Sequence, residues 1–213
     1  TQDISRQNTS ENSDLLLESL TPEIILERIE TNGVYGLGGA GFPTADKIRA
    51  VISSNSPQKT FIINGAECDP GLVHDKWLLR NKSEDIYKGI CAISRCIGFS
   101  EIILAAKDTD GLSFLENIKI KRVGDYYPVG FEKTLIKCVL KKKIPVDFMP
   151  AKLGILVLNV QTVLAVYEAV FLNRKVDEKY VTCANLKTGI ANVIRVKNGS
   201  RIIDIAETIF PGG

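Results

Sequence analysis

The sequence has no CxxC pair and no CxxCxxCxxxCP run, the spacings at which thiolates gather around an iron–sulfur cluster, so no cluster is expected within this chain. Its five cysteines, Cys68, Cys91, Cys96, Cys138 and Cys183, are odd in number and scattered. That excludes the even framework of a small disulfide-stapled domain and predicts reduced thiols. Cys91 and Cys96, five apart on an apparent helix, fall on different faces and read as ordinary buried residues. Histidine is scarcer still: His74 stands alone in a polar stretch, which points to a surface role and away from a metal site. No apolar run approaches the roughly 20 residues that cross a bilayer, and the polar start TQDISRQNTSENSD is not a secretory signal. A cytoplasmic protein without direct membrane insertion is expected. Charge of one sign is missing too: 27 Lys and Arg face 25 Asp and Glu, a net charge of +2 that offers no field for nucleic acid.

What is present suits an α/β domain. With 45% apolar residues in 213, the chain can bury a substantial core. Residues 1–20 begin Ser-, Asn- and Gln-rich without apolar period and read as a flexible tail. Thr21, Pro22 and Glu23 have the order of an N-cap, a first-position proline and a first-turn acid, predicting a helix to about Glu30 with Ile25, Leu26 and Ile29 inward. A glycine-dense loop follows, then ADKIRAVISS, where Ala45, Ile48, Val51 and Ile52 recur at helical spacing. KTFIING and SEIILAAKD are buried-strand candidates flanking the helical SEDIYKGICAISRCIGF, an arrangement that predicts a crossover within a parallel sheet. LGILVLNV is a third strand, running into the apolar helix QTVLAVYEAVFL. From Tyr180 onward two short strands, an Asn-Gly turn and a helix capped by Ser200 are expected, the opening half of a β-grasp-like unit.

Three constellations carry chemistry. Gly36-Leu-Gly38-Gly39-Ala-Gly41 satisfies GxGxxG, but a dinucleotide fingerprint follows a strand and here a helix precedes it. The glycines still let backbone N–H groups approach an anion, with Lys47 one turn into the next helix; the alternative is a tight turn that merely packs. Asn64-Gly-Ala-Glu67-Cys68-Asp69-Pro70-Gly71 stands at the carboxyl end of a strand, where open α/β sheets bind ligands. Asn64 can bond a flat heterocycle and Glu67 and Asp69 can accept from ribose hydroxyls; an Asx turn with solvated carboxylates is the competing reading. In GDYYPVGFEKTLIK, Gly130, Glu132 and Lys133 lie between an aromatic pair and a helix.

GLGGAGFPTADK, INGAECDPG, YPVGFEKTLIKCVLKKKIP and LNVQTVLAVYEAV occur together in one order, and in this the sequence resembles the C subunit of Rnf electron-transport complexes. It is more distantly similar to the flavin subunit of respiratory complex I; relatives serve proline reductase and a cobalamin-dependent diol pathway. The resemblance implies a Rossmann-like parallel-sheet flavin domain over residues 21–178 and an incomplete β-grasp (SLBB) unit over 179–213. It implies FMN as cofactor and NADH as electron donor, with the FMN phosphate at Gly36, Gly38, Gly39, Ala40, Gly41 and Lys47. Asn64, Glu67 and Asp69 would frame the isoalloxazine and nicotinamide, with Phe42 stacking on the incoming nucleotide. Tyr127, Gly130, Glu132 and Lys133 would form the opposite wall, and Asn159 and Thr162 would lie near the flavin. The sequence departs from its relatives at Leu37, where complex I flavin subunits carry arginine, and at Phe131, where Rnf-type relatives carry a second glycine and which is expected to narrow the pocket. The cluster-bearing segment of most relatives does not occur. Either the chain is a piece of a longer protein or it passes electrons to a separate iron–sulfur or reductase partner, in a membrane electron-transport complex for instance, which would hold it peripherally at the cytoplasmic membrane. A non-catalytic scaffold with a degraded flavin pocket is the alternative function.

Overall fold

The computed structural model of the protein describes residues 17–67, 69–112 and 117–210; most of the expected tail lies outside them, as does Cys68. Its centre is a parallel four-stranded sheet in the order β3-β2-β1-β4, formed by β1 (Thr60–Gly65), β2 (Glu101–Ala106), β3 (Lys119–Arg122) and β4 (Ile155–Asn159). Phe61 pairs with Ile102 on one side and Leu156 on the other, so the three predicted strands are adjacent, with β1 between β2 and β4. Alternate residues face opposite layers. Phe61, Ile63, Leu104, Leu156 and Leu158 enter one core, and Ile62, Ile103, Ile155 and Val157 a second.

The larger core is covered by α1 (Pro22–Thr31), α2 (Thr44–Ile52), α3 (His74–Asn81), α4 (Ser83–Cys96) and α6 (Val160–Leu172). The smaller is covered by α5 (Glu132–Leu140) through Leu135, Ile136 and Val139. The start of α1 has the expected form: the Thr21 hydroxyl accepts from Ile24 N and Pro22 takes the first turn, where its missing N–H costs nothing. Ile25, Ile29, Ala45, Ile48 and Val51 are buried as the periodicity requires. Leu26 is half-buried and Ile52, at the end of α2, is exposed, because each lies at the margin of its helix's apolar stripe.

The chain then forms an antiparallel pair, β5 (Glu178–Ala184) with β6 (Ala191–Lys197), and a final helix α7 (Ile202–Ile209). The cap of α7 differs from expectation: its N-cap residue is the extended Arg201, not Ser200, and Ser200 N donates to Lys197 O in the preceding turn. The Arg201 guanidinium instead grips Asp204 in the first turn. The small sheet is tied to the larger unit by Arg195 on Glu168 at 2.7 Å, by Tyr180 N on the Gln161 amide and by Val73 N on the Thr182 hydroxyl at 3.0 Å. Cys91, Cys96, Cys138 and Cys183 are thiols, not joined in disulfides, and each is half-buried where full burial is expected of Cys91 and Cys96. Burial pushes the Cys96 thiol up to about 12, with Glu23 adding to the effect. Among the described residues no helix is long and apolar enough to cross a membrane, and no three His, Cys, Asp or Glu residues gather as metal ligands.

Candidate functional site

The sheet order puts the reversal of strand order between β1 and β4, and crevices of open α/β sheets form at such points outside the carboxyl ends of strands. A cavity of about 630 Å³ lies there, within the range of about 300–1,000 Å³ typical of cofactor sites. The glycine loop forms one wall. It is closed at its neck by Gly36 N donating to Phe42 O at 2.8 Å and by a Tyr35–Pro43 bridge, and Leu37 N donates to the buried Thr162 hydroxyl at 2.9 Å. Among the described residues the amides of Gly38, Gly39, Ala40 and Gly41 have no acceptor, and all four residues are exposed. Gly39 and Gly41 have φ of +106° and +60°, which a side chain would strain. Gly38 is needed for closeness: a Cβ there would stand 3.0 Å from that of Asn159.

Of the residues anticipated from sequence, Gly36, Gly38, Gly39, Ala40, Phe42, Lys47, Asn64, Gly130, Glu132, Lys133, Asn159 and Thr162 line this cavity. Gly41 shapes the loop without lining it. Glu67, Asp69 and Tyr127 line a separate cavity of about 520 Å³, with Lys76, Lys107 and Asp125, outside the ends of β1 and β2. The two cavities meet where Tyr127 contacts Phe131 edge to face, ring centroids 5.6 Å apart. Phe131 stands at the rim of the first cavity, about half exposed, and does not fill it.

Several side chains are already engaged. Lys47 donates to Glu132 at 2.6 Å and to Val157 O at 2.8 Å. Lys133 holds the Pro145 and Val146 carbonyls. Asn64 makes the Asx turn through Ala66 N at 3.0 Å and also donates to Gly130 O at 2.8 Å, fixing the opposite wall. Asn159 caps α6 by accepting from Gln161 N at 2.8 Å and donates to the buried Asp75 at 2.8 Å.

His74, expected at the surface, opens α3 and is largely buried; α3 places it against Thr182 at 3.1 Å and Glu67 at 3.5 Å. Burial lowers its pKa, and the Glu67 carboxylate opposes that shift. Glu67 has φ of +39° and turns its carboxylate back to accept from Asp75 N at 3.1 Å. Burial pushes the Asp75 carboxyl up to about 7; Glu67 adds to this and the Asn159 bond opposes it. Asp75 escapes a sequence reading because HDKWLLRN looks merely polar. The usable signal is Val73 and Trp77 four apart with an acid in the first turn.

The model of the Nuo51 FMN-binding domain matches residues 29–168, two-thirds of the chain and all of the elements around the glycine-loop cavity. The chain belongs to the Nuo51 FMN-binding domain family. Within it, the chain is similar to the C subunit of the ion-translocating oxidoreductase complex of Pseudomonas aeruginosa, 34% identical over 77% of this chain and 22% of that protein. The corresponding protein of Rhodobacter capsulatus is 30% identical over 88% of this chain and 38% of its own length. The chain thus spans between about a fifth and two-fifths of these curated relatives. An NAD+-reducing [NiFe]-hydrogenase in its H2-reduced state shares the fold of this Nuo51-type domain, with a TM-score of 0.77 at 24% identity over 87% of this chain and 38% of that one. The air-oxidized hydrogenase superposes with a TM-score of 0.65 at 29% identity, covering 75% of this chain and 32% of that one.

Proposed function

We propose that the chain binds FMN in the glycine-loop cavity and serves as the NADH-oxidising part of an electron-transfer protein that passes electrons to an iron–sulfur or reductase partner. The observation that carries this is the row of four acceptor-free amides at Gly38, Gly39, Ala40 and Gly41, beside Lys47 and in front of α2. Such a nest favours a phosphate. The cavity also fits the rest of the group: apolar Val157 and Leu158 line it, and the absent Cβ of Gly38 lets the loop close on Asn159.

Bound FMN would supply the redox chemistry, taking two electrons from NADH and releasing them singly. The chain's own residues bind, orient and exclude water. The loop amides and Lys47 hold the phosphate, for which Lys47 must share its bond to Glu132. Asn64 and Gly130 brace the wall across the crevice. Phe42, 40% exposed at the rim, would stack on a nicotinamide nucleotide, and the neighbouring cavity with Glu67, Asp69 and Tyr127 would take the remainder of NADH. The acceptor and any attachment to a membrane complex belong to the same proposal and rest on the likeness to the ion-translocating oxidoreductase proteins.

The pairing of Lys47 with Glu132 and the ring of Phe131 at the rim favour a second reading, a scaffold without flavin. Titrating FMN with the purified chain separates them: quenching of flavin fluorescence supports the first, and no quenching with FMN in large excess supports the second. Retained flavin that NADH does not bleach anaerobically would remove the NADH claim alone.

A further inference from the structure

Beneath the glycine-loop cavity lies a buried ionisable cluster in which Asp75 and His74 have no part in the function proposed above. Asp75 is 3% exposed. Its Oδ2 accepts from Asn159 at 2.8 Å, whereas its Oδ1 is buried without a partner. The atom facing Oδ1 is His74 Nε2 at 3.7 Å, a little beyond hydrogen-bond reach. On the far side of the ring, Nδ1 stands 3.1 Å from the Thr182 hydroxyl and 3.5 Å from Glu67. A neutral imidazole protonated on Nδ1 toward those oxygens turns the lone pair of Nε2 toward Asp75. A proton on Oδ1 then has an acceptor, and a small ring rotation satisfies the one orphaned carboxyl atom of the site.

We propose that Asp75 is a positioning residue for the flavin crevice: it holds a proton shared with His74, and through its bond to Asn159 it couples that proton to the binding of an anionic flavin. The proposal rests on the flavin reading above. Asn159 is the transmitting group because it touches both sides. Its amide is bonded to Asp75, its side chain lines the cavity, and its Cβ is the atom against which Gly38 of the phosphate loop packs. The ionisable groups facing Asp75 are Glu67, from the loop after β1, and His74, on its own helix. From β4 comes the neutral amide of Asn159, and from β5 the Thr182 hydroxyl reaches the cluster through His74. No cation among them offsets the charge that appears when the proton leaves. Desolvation holds the carboxyl near neutrality, so the proton leaves within the physiological range. Below the crevice a buried negative charge then opposes the flavin phosphate, and by linkage a bound anion raises the proton affinity of Asp75 in return.

The test is made on the whole chain, wild type and Asp75→Asn, with two readouts. In flavin-free protein, NMR follows the Asp75 carboxyl carbon and the Asn159 side-chain amide from about pH 5 to 9. Expected are a carboxyl midpoint near neutrality, Asn159 signals moving with the same midpoint, and Asn159 signals that stay still over that range in the variant. A midpoint in the ordinary carboxylate range, or an Asn159 amide that ignores the titration, overturns the proposal. In the second readout, FMN affinity is measured by fluorescence quenching, the variant serving as baseline for the phosphate's own titration. The ratio of variant to wild-type affinity should rise about fivefold between about pH 6 and pH 8.5; a constant ratio overturns the coupling. Absence of FMN binding at every pH would defeat the flavin reading and with it the coupling to flavin, while the NMR arm would still decide whether Asp75 governs Asn159.

Discussion

Gly89→Ala sets two rules against each other, and the structure decides which wins. On an isolated helix the change is favourable by about 1 kcal/mol, because alanine loses less backbone entropy than glycine. In the fold, α4 and α6 approach each other through this residue. A Cβ at Gly89 would stand 2.3 Å from the carbonyl oxygen of Val163, 3.2 Å from its carbon and 3.1 Å from its Cγ1. A carbon and a carbonyl oxygen tolerate about 3.3 Å, so the helices must separate by roughly 1 Å. The obstacle is backbone and cannot rotate away. Separation loosens the buried Ile86, Ile90 and Ile93 against Val163, Val166 and Val170, and a gap of that size forfeits a quarter to a half of each contact. Overpacking of this kind costs about 1–3 kcal/mol. Net of the propensity gain, unfolding stability should fall by about 1 kcal/mol, lowering the thermal midpoint by roughly 2–4 °C for a chain of this size. Urea unfolding followed by circular dichroism measures it. Flavin affinity should weaken as well, because Thr162, adjacent to Val163 on α6, holds the glycine loop through Leu37 N. A variant as stable as the parent, or more stable, would refute the close approach.

Gly38→Ala should lower FMN affinity about tenfold, equivalent to ~1.4 kcal/mol, since its Cβ presses on that of Asn159 at 3.0 Å; Gly98→Ala, with open space around it, is the neutral control, and fluorescence titration reads both. Lys47→Met should weaken FMN binding and flatten its salt dependence, measured by the same titration from low to high ionic strength. Asp75→Asn should be more stable than the wild type at pH 8, by an amount on the order of 4 kcal/mol. The carboxyl is raised to about 7 in the folded chain from 3.8. Stability present below about pH 4 is therefore lost as pH rises toward 7 in the wild type and kept in the variant, which urea melts across that range would show.

Three of the four strands are legible in the sequence because TFIING, EIILAA and ILVLN are apolar runs buried on both faces, a pattern that parallel sheets require. β3 is not, since KIKR has three charged side chains in four residues and carries no apolar signal. The glycine loop is legible through its composition, and its likeness to known sequences places Asn64, Gly130 and Asn159 around the same cavity. What periodicity and motif leave out is partnership across the fold. Lys47 has Glu132 as a partner 85 positions away, and Asn159 reaches Asp75 across 84. Sequence spacing carries neither contact, so neither the engagement of Lys47 nor the cluster beneath the crevice is visible there. The separation of Glu67 and Asp69 into a neighbouring cavity is likewise tertiary, arising from the way the chain leaves β1 and turns into α3.

The measurement that bears most directly on flavin binding and NADH oxidation is an anaerobic titration of the purified chain with FMN, followed by NADH, monitored by flavin fluorescence and visible absorbance. Stoichiometric quenching is predicted, weakened by Gly38→Ala, with bleaching of the bound flavin on addition of NADH. Fluorescence unchanged with FMN in large excess over folded protein would contradict it.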